Sequence, residues 1–388
     1  MTLSYFLLNI FSINTLIIKV FILKGKKGKS LKLPQLKIGN LIATVPIIQG
    51  GMGIGVSLNN LAAAVGNEGG IGIISGVQIG FNEPDFIKDS LKANIRALKR
   101  EIRLAREKCK KGIIGVNIMT AVNHYKELVT AAVEEGIDLI VSGAGLPMEL
   151  PELVKETKVK IAPIVSSGKA ISVICKMWER KHSRMPDLVV VEGPEAGGHL
   201  GFHKDDLSLE PQKIENIFQD VKKALMPYEE KYNSHIPVVV AGGIFSGEDI
   251  AKFMDLGADG VQMATRFIAT VECDAHENYK RAYVNAKKED IQIVVSPVGM
   301  PGRAIRNNFI KSLEEGPKKV RCINNCLKPC NPQNTPYCIS QALINARNGS
   351  IDEGLLFCGS SVDKIDKIVT VKELINELVG DYCQARDK

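Results

Sequence analysis

Tryptophan occurs once in this chain of 388 residues, and aromatic residues make up only 5% of it. No stripe of basic residues interleaved with aromatics is present, which excludes the usual footprint of a nucleic-acid partner. A G-x-G-x-x-G turn after a first strand is also lacking. GGMGIG at 50–55 imitates it, but leads into Val56-Ser-Leu-Asn-Asn60, with no ribose-binding acid about 20 residues on. The doubly wound dinucleotide fold is therefore not indicated. Acids are missing from residues 1–30, which hold Lys19, Lys24, Lys26, Lys27 and Lys29; the remainder balances 45 basic against 43 acidic side chains.

A secretory signal is lacking too. The first 23 residues, MTLSYFLLNIFSINTLIIKVFIL, are almost uncharged and KGKKGK follows, whereas a signal would put its charges first and end in small residues. Two readings of 1–30 stand. One is a bilayer anchor, weakened by Asn9, Ser12, Asn14 and Lys19, whose trailing lysines keep the body cytoplasmic. The other is an over-extended reading frame, because the chain from Leu31 onward reads as a domain by itself. Nine cysteines, an odd number without an export signal, point to reduced thiols and a cytoplasmic protein.

With 45% hydrophobic and 24% charged residues the chain is globular. From Val45 onward, short apolar runs ending in glycine or small polar residues alternate with amphipathic stretches. Eight runs predict strands: 45–50, 71–76, 112–119, 139–145, 160–167, 188–193, 237–243 and 260–267. Between them, 84–109, 124–136, 211–231 and 247–256 have helical period. Continuous apolar runs alternating with helices imply parallel strands covered on both faces, and eight units predict an α/β protein of the (β/α)8 TIM-barrel class. Residues 31–287 form the expected barrel. Residues 288–388 are expected to be a helical, cysteine-containing cap, with SPVGMPGRAIRNNF (296–309) as a Gly/Pro loop and helices over 339–348 and 371–383.

Barrel chemistry sits at the C-terminal strand ends. Gln49 through Met52, Asn117, Ser142-Gly143, Glu192 through His199, Gly242-Gly243 and Gln262 through Arg266 all fall there. Loops after strands seven and eight commonly bind phosphate, so Gly242, Gly243 and Thr265 form the expected phosphate end, with Arg266 as either a rim cation or an ion-pair partner. A phosphorylated ligand reaching across to strands one, three and six suits FMN.

QGGMG, GVNIM, EGPEAGGHLG, VVAGGI and QMATRF, in this order, resemble the nitronate monooxygenase (2-nitropropane dioxygenase) family. They equally resemble its sister, the FMN-dependent enoyl-ACP reductases. The resemblance covers roughly residues 33–310. It implies a TIM barrel holding FMN non-covalently through Gly51, Met52, Asn117, Glu192, Gly197, Gly198, Gly242, Gly243, Gln262, Met263, Ala264 and Thr265, with His199 as the catalytic histidine. Two positions depart from the pattern: Glu192 is acidic where glutamine is frequent, as in the reductase branch, and Ala264 replaces a usual glycine.

The implied activity is oxidation of alkyl nitronates or nitroalkanes with O2, His199 serving as general base or substrate-orienting group. The alternative is NAD(P)H-dependent enoyl-thioester reduction; a non-catalytic phosphate-ligand sensor would have no need of His199. His203, His124, His182, His235 and His276 read as solvated. Expected partners are a small-molecule substrate with O2 or NAD(P)H and no nucleic acid. A membrane enters only if 1–30 is an anchor, and a homodimer is one oligomeric form. Cys322, Cys326, Cys330 and Cys338 read either as metal thiolates or as reduced thiols of a partly buried cap. Zinc and iron–sulfur sites favour C-x2-C spacing over this C-x3-C-x3-C, and no metal is assigned.

Overall fold

Valine- and isoleucine-rich runs need apolar cover on both faces, and the chain supplies it by curling the runs into a closed ring. The computed structural model describes residues 33–387 except 319, 321, 323 and 324; the anchor-or-frame reading of residues 1–30 lies outside them. The ring consists of β3 (Ile47–Gln49), β4 (Ile71–Ser75), β5 (Ile113–Asn117), β6 (Leu139–Ser142), β7 (Lys160–Val165), β8 (Val189–Glu192), β10 (Val238–Ala241) and β11 (Gly260–Met263), all parallel, with β11 closing on β3. Each of the eight apolar runs contains one of these strands.

The strand period divides the core in two. Ile48, Ile73, Val141, Val190 and Val239 point into the barrel, whereas Ile47, Ile74, Ile140, Val191 and Val240 face the surrounding helices. A hairpin of β1 (Leu36–Ile38) and β2 (Leu41–Ala43), which precedes the first barrel strand and was not expected from the sequence, adds Leu36, Ile38 and Ala43 to the interior cluster.

The outer layer is α1 (Asn59–Asn67), α2 (Ser90–Lys108), α3 (Tyr125–Glu134), α4 (Leu150–Leu153), α5 (Gly168–His182), α6 (Ile214–Tyr232) and α7 (Gly247–Asp255). Ser246 caps α7 through a capping box with Asp249. After β11 come only the short α8 (Thr265–Ile268) and α9 (Glu277–Val284). The C-terminal α12 (Val371–Asp387) fills the vacant flank, packing on α7 and α1. Gly247 permits this close crossing: a Cβ there would lie 2.2 Å from the Tyr382 amide nitrogen. Val371, Leu374, Ile375 and Leu378 are buried in the contact. The last helix of the expected cap is thus a wall of the barrel.

The remaining cap departs from expectation in one more respect. Within 296–309, Pro301–Ile305 is a strand, β13, paired antiparallel with β12 (Ile291–Val295). Pro297 and Gly299 mark the hairpin turn, whereas Pro301 and Gly302 belong to the strand, whose Ala304 and Ile305 are buried. α10 (Asn308–Glu314), capped by Asn307, and α11 (Ile339–Arg347) follow. Among the described residues, no helix is long and apolar enough to cross a membrane.

Candidate active site

At the C-terminal strand ends lies a cavity of about 800 Å³, joined to a small pocket of about 80 Å³ through shared walls at Glu192, Gly197, Gln262, Ala264 and Thr265. Gly51, Met52, Asn117, Gly198 and His199 line the large cavity; Gly242, Gly243 and Met263 line the small one. Every residue that the sequence resemblance singled out therefore meets at one place.

Strand parity explains which polar rim residues reach it. Asn117, Glu192 and Gln262 share phase with the inward-facing residues of their strands, and all three line the cavity. Gln49 and Ser142 are in the opposite phase. Gln49 is fully buried, accepting from the Ile73 amide at 3.1 Å and donating to Gly50 O at 2.5 Å. Ser142 is equally buried, bonded to Tyr125 and Ile118. Both staple the barrel wall and neither lines the site.

The small pocket has the proportions of a phosphate. Gly242 and Gly243 have φ of +95° and +80°, and a Cβ on Gly243 would sit 2.3 Å from Glu195 Oε2. Only glycine fits this turn without strain. Thr265 Oγ1 accepts from the Gly359 amide at 2.9 Å, which leaves its proton free to donate into the pocket. Gly359, Ser360 and Ser361 close the pocket's outer side. These residues were missed from sequence, although the Gly-Ser-Ser run after Cys358 is a recognisable small-residue loop. Ser360 also donates to Glu195 at 3.1 Å, engaging one of the pocket's two acids, Glu192 being the other. Arg266 touches the pocket, but its guanidinium binds Phe245 O at 3.1 Å and Glu377 of α12 at 2.8 Å. Of its two expected roles, the ion pair is the one observed.

His199 is held as part of a strand. Gly198–His199 forms β9, which pairs with β13 so that Gly302 faces His199 and Arg303 faces Gly198. Arg303 donates to Pro194 O and Ala196 O at 2.7 and 2.6 Å, fastening the preceding loop from beneath. The imidazole Nε2 lies 2.6 Å from Ser296 Oγ, and the ring packs against Phe357 at 5.1 Å between centroids. Phe357 is itself tied down by the Tyr283 hydroxyl, which donates to its carbonyl at 2.6 Å. Burial pushes the His199 pKa down to about 4, so the ring is neutral at physiological pH. Burial alone pushes the Glu192 carboxyl up to about 7. Ser296, Arg303 and Phe357 escaped the sequence reading because they lie about a hundred residues or more beyond the histidine motif.

The other histidines lie apart, with one exception. His203 is exposed but lines the cavity mouth with Asp206, closer than a freely solvated loop residue. His235 bridges Glu229 and Asp259 on the surface. In the cysteine segment, Cys326 is buried and Cys322 exposed. Among the described residues, no group of three or more His, Cys, Asp or Glu side chains is placed to hold a metal ion.

Comparison with known proteins agrees with this geometry. A probable nitronate monooxygenase of Staphylococcus saprophyticus is 28% identical over 324 residues, covering 74% of this chain and 82% of its own. FabK from Thermotoga maritima superposes with a TM-score of 0.68 at 28% identity, over 88% of this chain and 94% of its own. A nitroalkane oxidase from Streptomyces ansochromogenes, at 21% identity and a TM-score of 0.65 over 88% and 96%, shares the fold. Such proteins are flavin-dependent oxidoreductases. Residues 35–381 match the nitronate monooxygenase family, and the chain belongs to that family.

Proposed function

We propose that this protein is an FMN-dependent enzyme that oxidises alkyl nitronates with O2. The observation that carries the reading is the delivery of a neutral His199, on a glycine strand, into a cavity continuous with a phosphate-sized pocket. The residues fit FMN. Gly242, Gly243 and Thr265 with Gly359 and Ser360 would hold the phosphate. Gly51, Met52, Asn117, Glu192, Gly197, Gly198, Gln262, Met263 and Ala264 would surround the remainder. When bound, the flavin supplies the electron acceptor for the substrate carbon and passes electrons on to oxygen.

The chain's own contribution centres on His199. An imidazole with a pKa near 4 is a feeble base for a nitroalkane α-proton, which favours orientation of an already formed nitronate over proton removal. The ring is held in orientation by Phe357 and by the Ser296 hydroxyl, which bonds Nε2 as donor or acceptor according to the tautomer. When Ser296 donates to Nε2, the ring hydrogen sits on Nδ1 and can be donated to a nitronate oxygen. From the cap, Met300, Pro301, Leu327, Leu343 and Phe357 wall one side of the cavity; α12 belongs to the barrel. The expected location is the cytoplasm.

Glu192, acidic as in the reductase branch, favours a second reading: reduction of an enoyl thioester by NAD(P)H. Anaerobic mixing separates the two. Rapid flavin bleaching by ethylnitronate and slow bleaching by NADH and NADPH support nitronate oxidation; fast reduction by a nicotinamide with reoxidation by an enoyl thioester would establish the reductase instead.

A further inference from the structure

The large cavity holds more room than a flavin ring and a two-carbon nitronate require. Pockets of 300–1,000 Å³ accommodate whole drug-sized ligands, and this one measures about 800 Å³ with the phosphate pocket separate. Its far wall is apolar and comes from three places: Met119 after β5, Leu146 after β6, and Leu327, Ile339 and Leu343 of the cap. The cap segment is docked onto the β5 loop by backbone bonds, Asn123 N to Cys326 O at 3.0 Å and Lys328 N to Ala121 O at 2.8 Å. Leu146 is 43% exposed and marks the outer edge of this wall.

The lining is also poor in positive charge. Among the described residues, no lysine or arginine lines the cavity, while Glu192 and Asp206 do. Lys328, in the segment forming the wall, donates to Thr120 O and does not enter. The single charge of a nitronate can be met by the His199 N–H. A second carboxylate on the substrate would be desolvated against the apolar wall, where no described cation receives it.

Resting on the nitronate reading, we infer that the preferred substrate carries an extended apolar chain without a second charge, seated against Met119, Leu327 and Leu343. The holoenzyme should show kcat/KM rising about three- to fourfold per methylene from ethylnitronate toward octylnitronate, until the wall is filled. Propionate-3-nitronate should be at least about tenfold poorer than butylnitronate. A flat or falling series, or equal use of the carboxylated substrate, would overturn the inference.

A second measurement is independent of turnover. Binding of 1-butanol through 1-octanol, followed by perturbation of the flavin spectrum, should tighten with chain length. If no nitronate of any length is oxidised but alkanol affinity still climbs, the proposed reaction fails and the apolar chain site stands. Leu343→Trp should flatten both series. A folded, flavin-loaded variant with the original slope would show that the chain lies elsewhere.

Discussion

His199 Nε2 and Ser296 Oγ lie 2.6 Å apart although 97 positions separate them in the chain. The pairing exists because β9 and β13 share a ladder, so the strand that presents the histidine is registered directly against the hairpin that presents the serine. Loss of the hydroxyl removes the hydrogen-bond partner of Nε2 while Phe357 still packs against the ring. Ser296→Ala should lower kcat on nitronates by about tenfold with flavin content intact, less than the roughly 10²–10⁴-fold loss expected for His199→Ala. Comparing ethylnitronate with neutral nitroethane assigns the role. Similar losses on both indicate orientation, whereas a selective loss on nitroethane would make His199 the base after all.

The pH profile follows from the two shifted groups. With its pKa near 4, His199 stays neutral from pH 8 down to about 5, so it should not cut kcat/KM within that range. Glu192 titrates near 7. A carboxyl whose folded pKa is raised destabilises the folded apoprotein as it ionises, progressively between its unfolded value and pH 7 and fully above that. Glu192→Gln should therefore stabilise apoprotein at pH 8 by about 2–3 kcal/mol and much less at pH 4.5. Equal gains at both values, read by denaturant titration, would mean that burial is not what shifts the group.

Gly243→Val tests the phosphate end. Its left-handed backbone and the nearness of Glu195 both resist a side chain. The variant should purify with flavin largely missing yet with a native far-UV spectrum; full occupancy would move the phosphate away from this turn.

Arg303 is half-buried, and its guanidinium donates to two backbone carbonyls of the loop before His199. Arg303→Met would leave both acceptors unmet in a partly buried setting. We expect kcat to fall more than KM rises, with partial recovery in Arg303→Lys, which restores charge but not the forked geometry. Unchanged kinetics in the Met variant would show that the β9–β13 ladder alone fixes the loop.

Removing residues 371–388 should abolish the soluble fold and not merely open the site. The deletion uncovers the faces of α7 and α1 that Val371, Leu374, Ile375 and Leu378 bury, each worth about 1.5–3 kcal/mol. A folded truncated protein that binds flavin would return α12 to the cap.

The sequence by itself determined the barrel. Eight runs such as Leu188–Val191 and Val238–Ala241 are apolar on both faces, and only a strand covered inside and out can bury them. It also determined the cluster of glycines with His199, because a sharp turn and close backbone approach leave a local signature at Gly242-Gly243. Even the inward choice among rim residues was legible in principle: alternate residues along β3 and β8 put Gln49 outside and Glu192 inside. Other decisions belonged to the tertiary structure alone. That α12 takes the barrel's eighth flank depends on a glycine in another helix, Gly247, leaving space for its backbone. That Ser296, Arg303 and Phe357 set the histidine depends on a strand pairing across a hundred residues. Local period reports which face of an element is apolar; it holds no information about which distant element will cover that face.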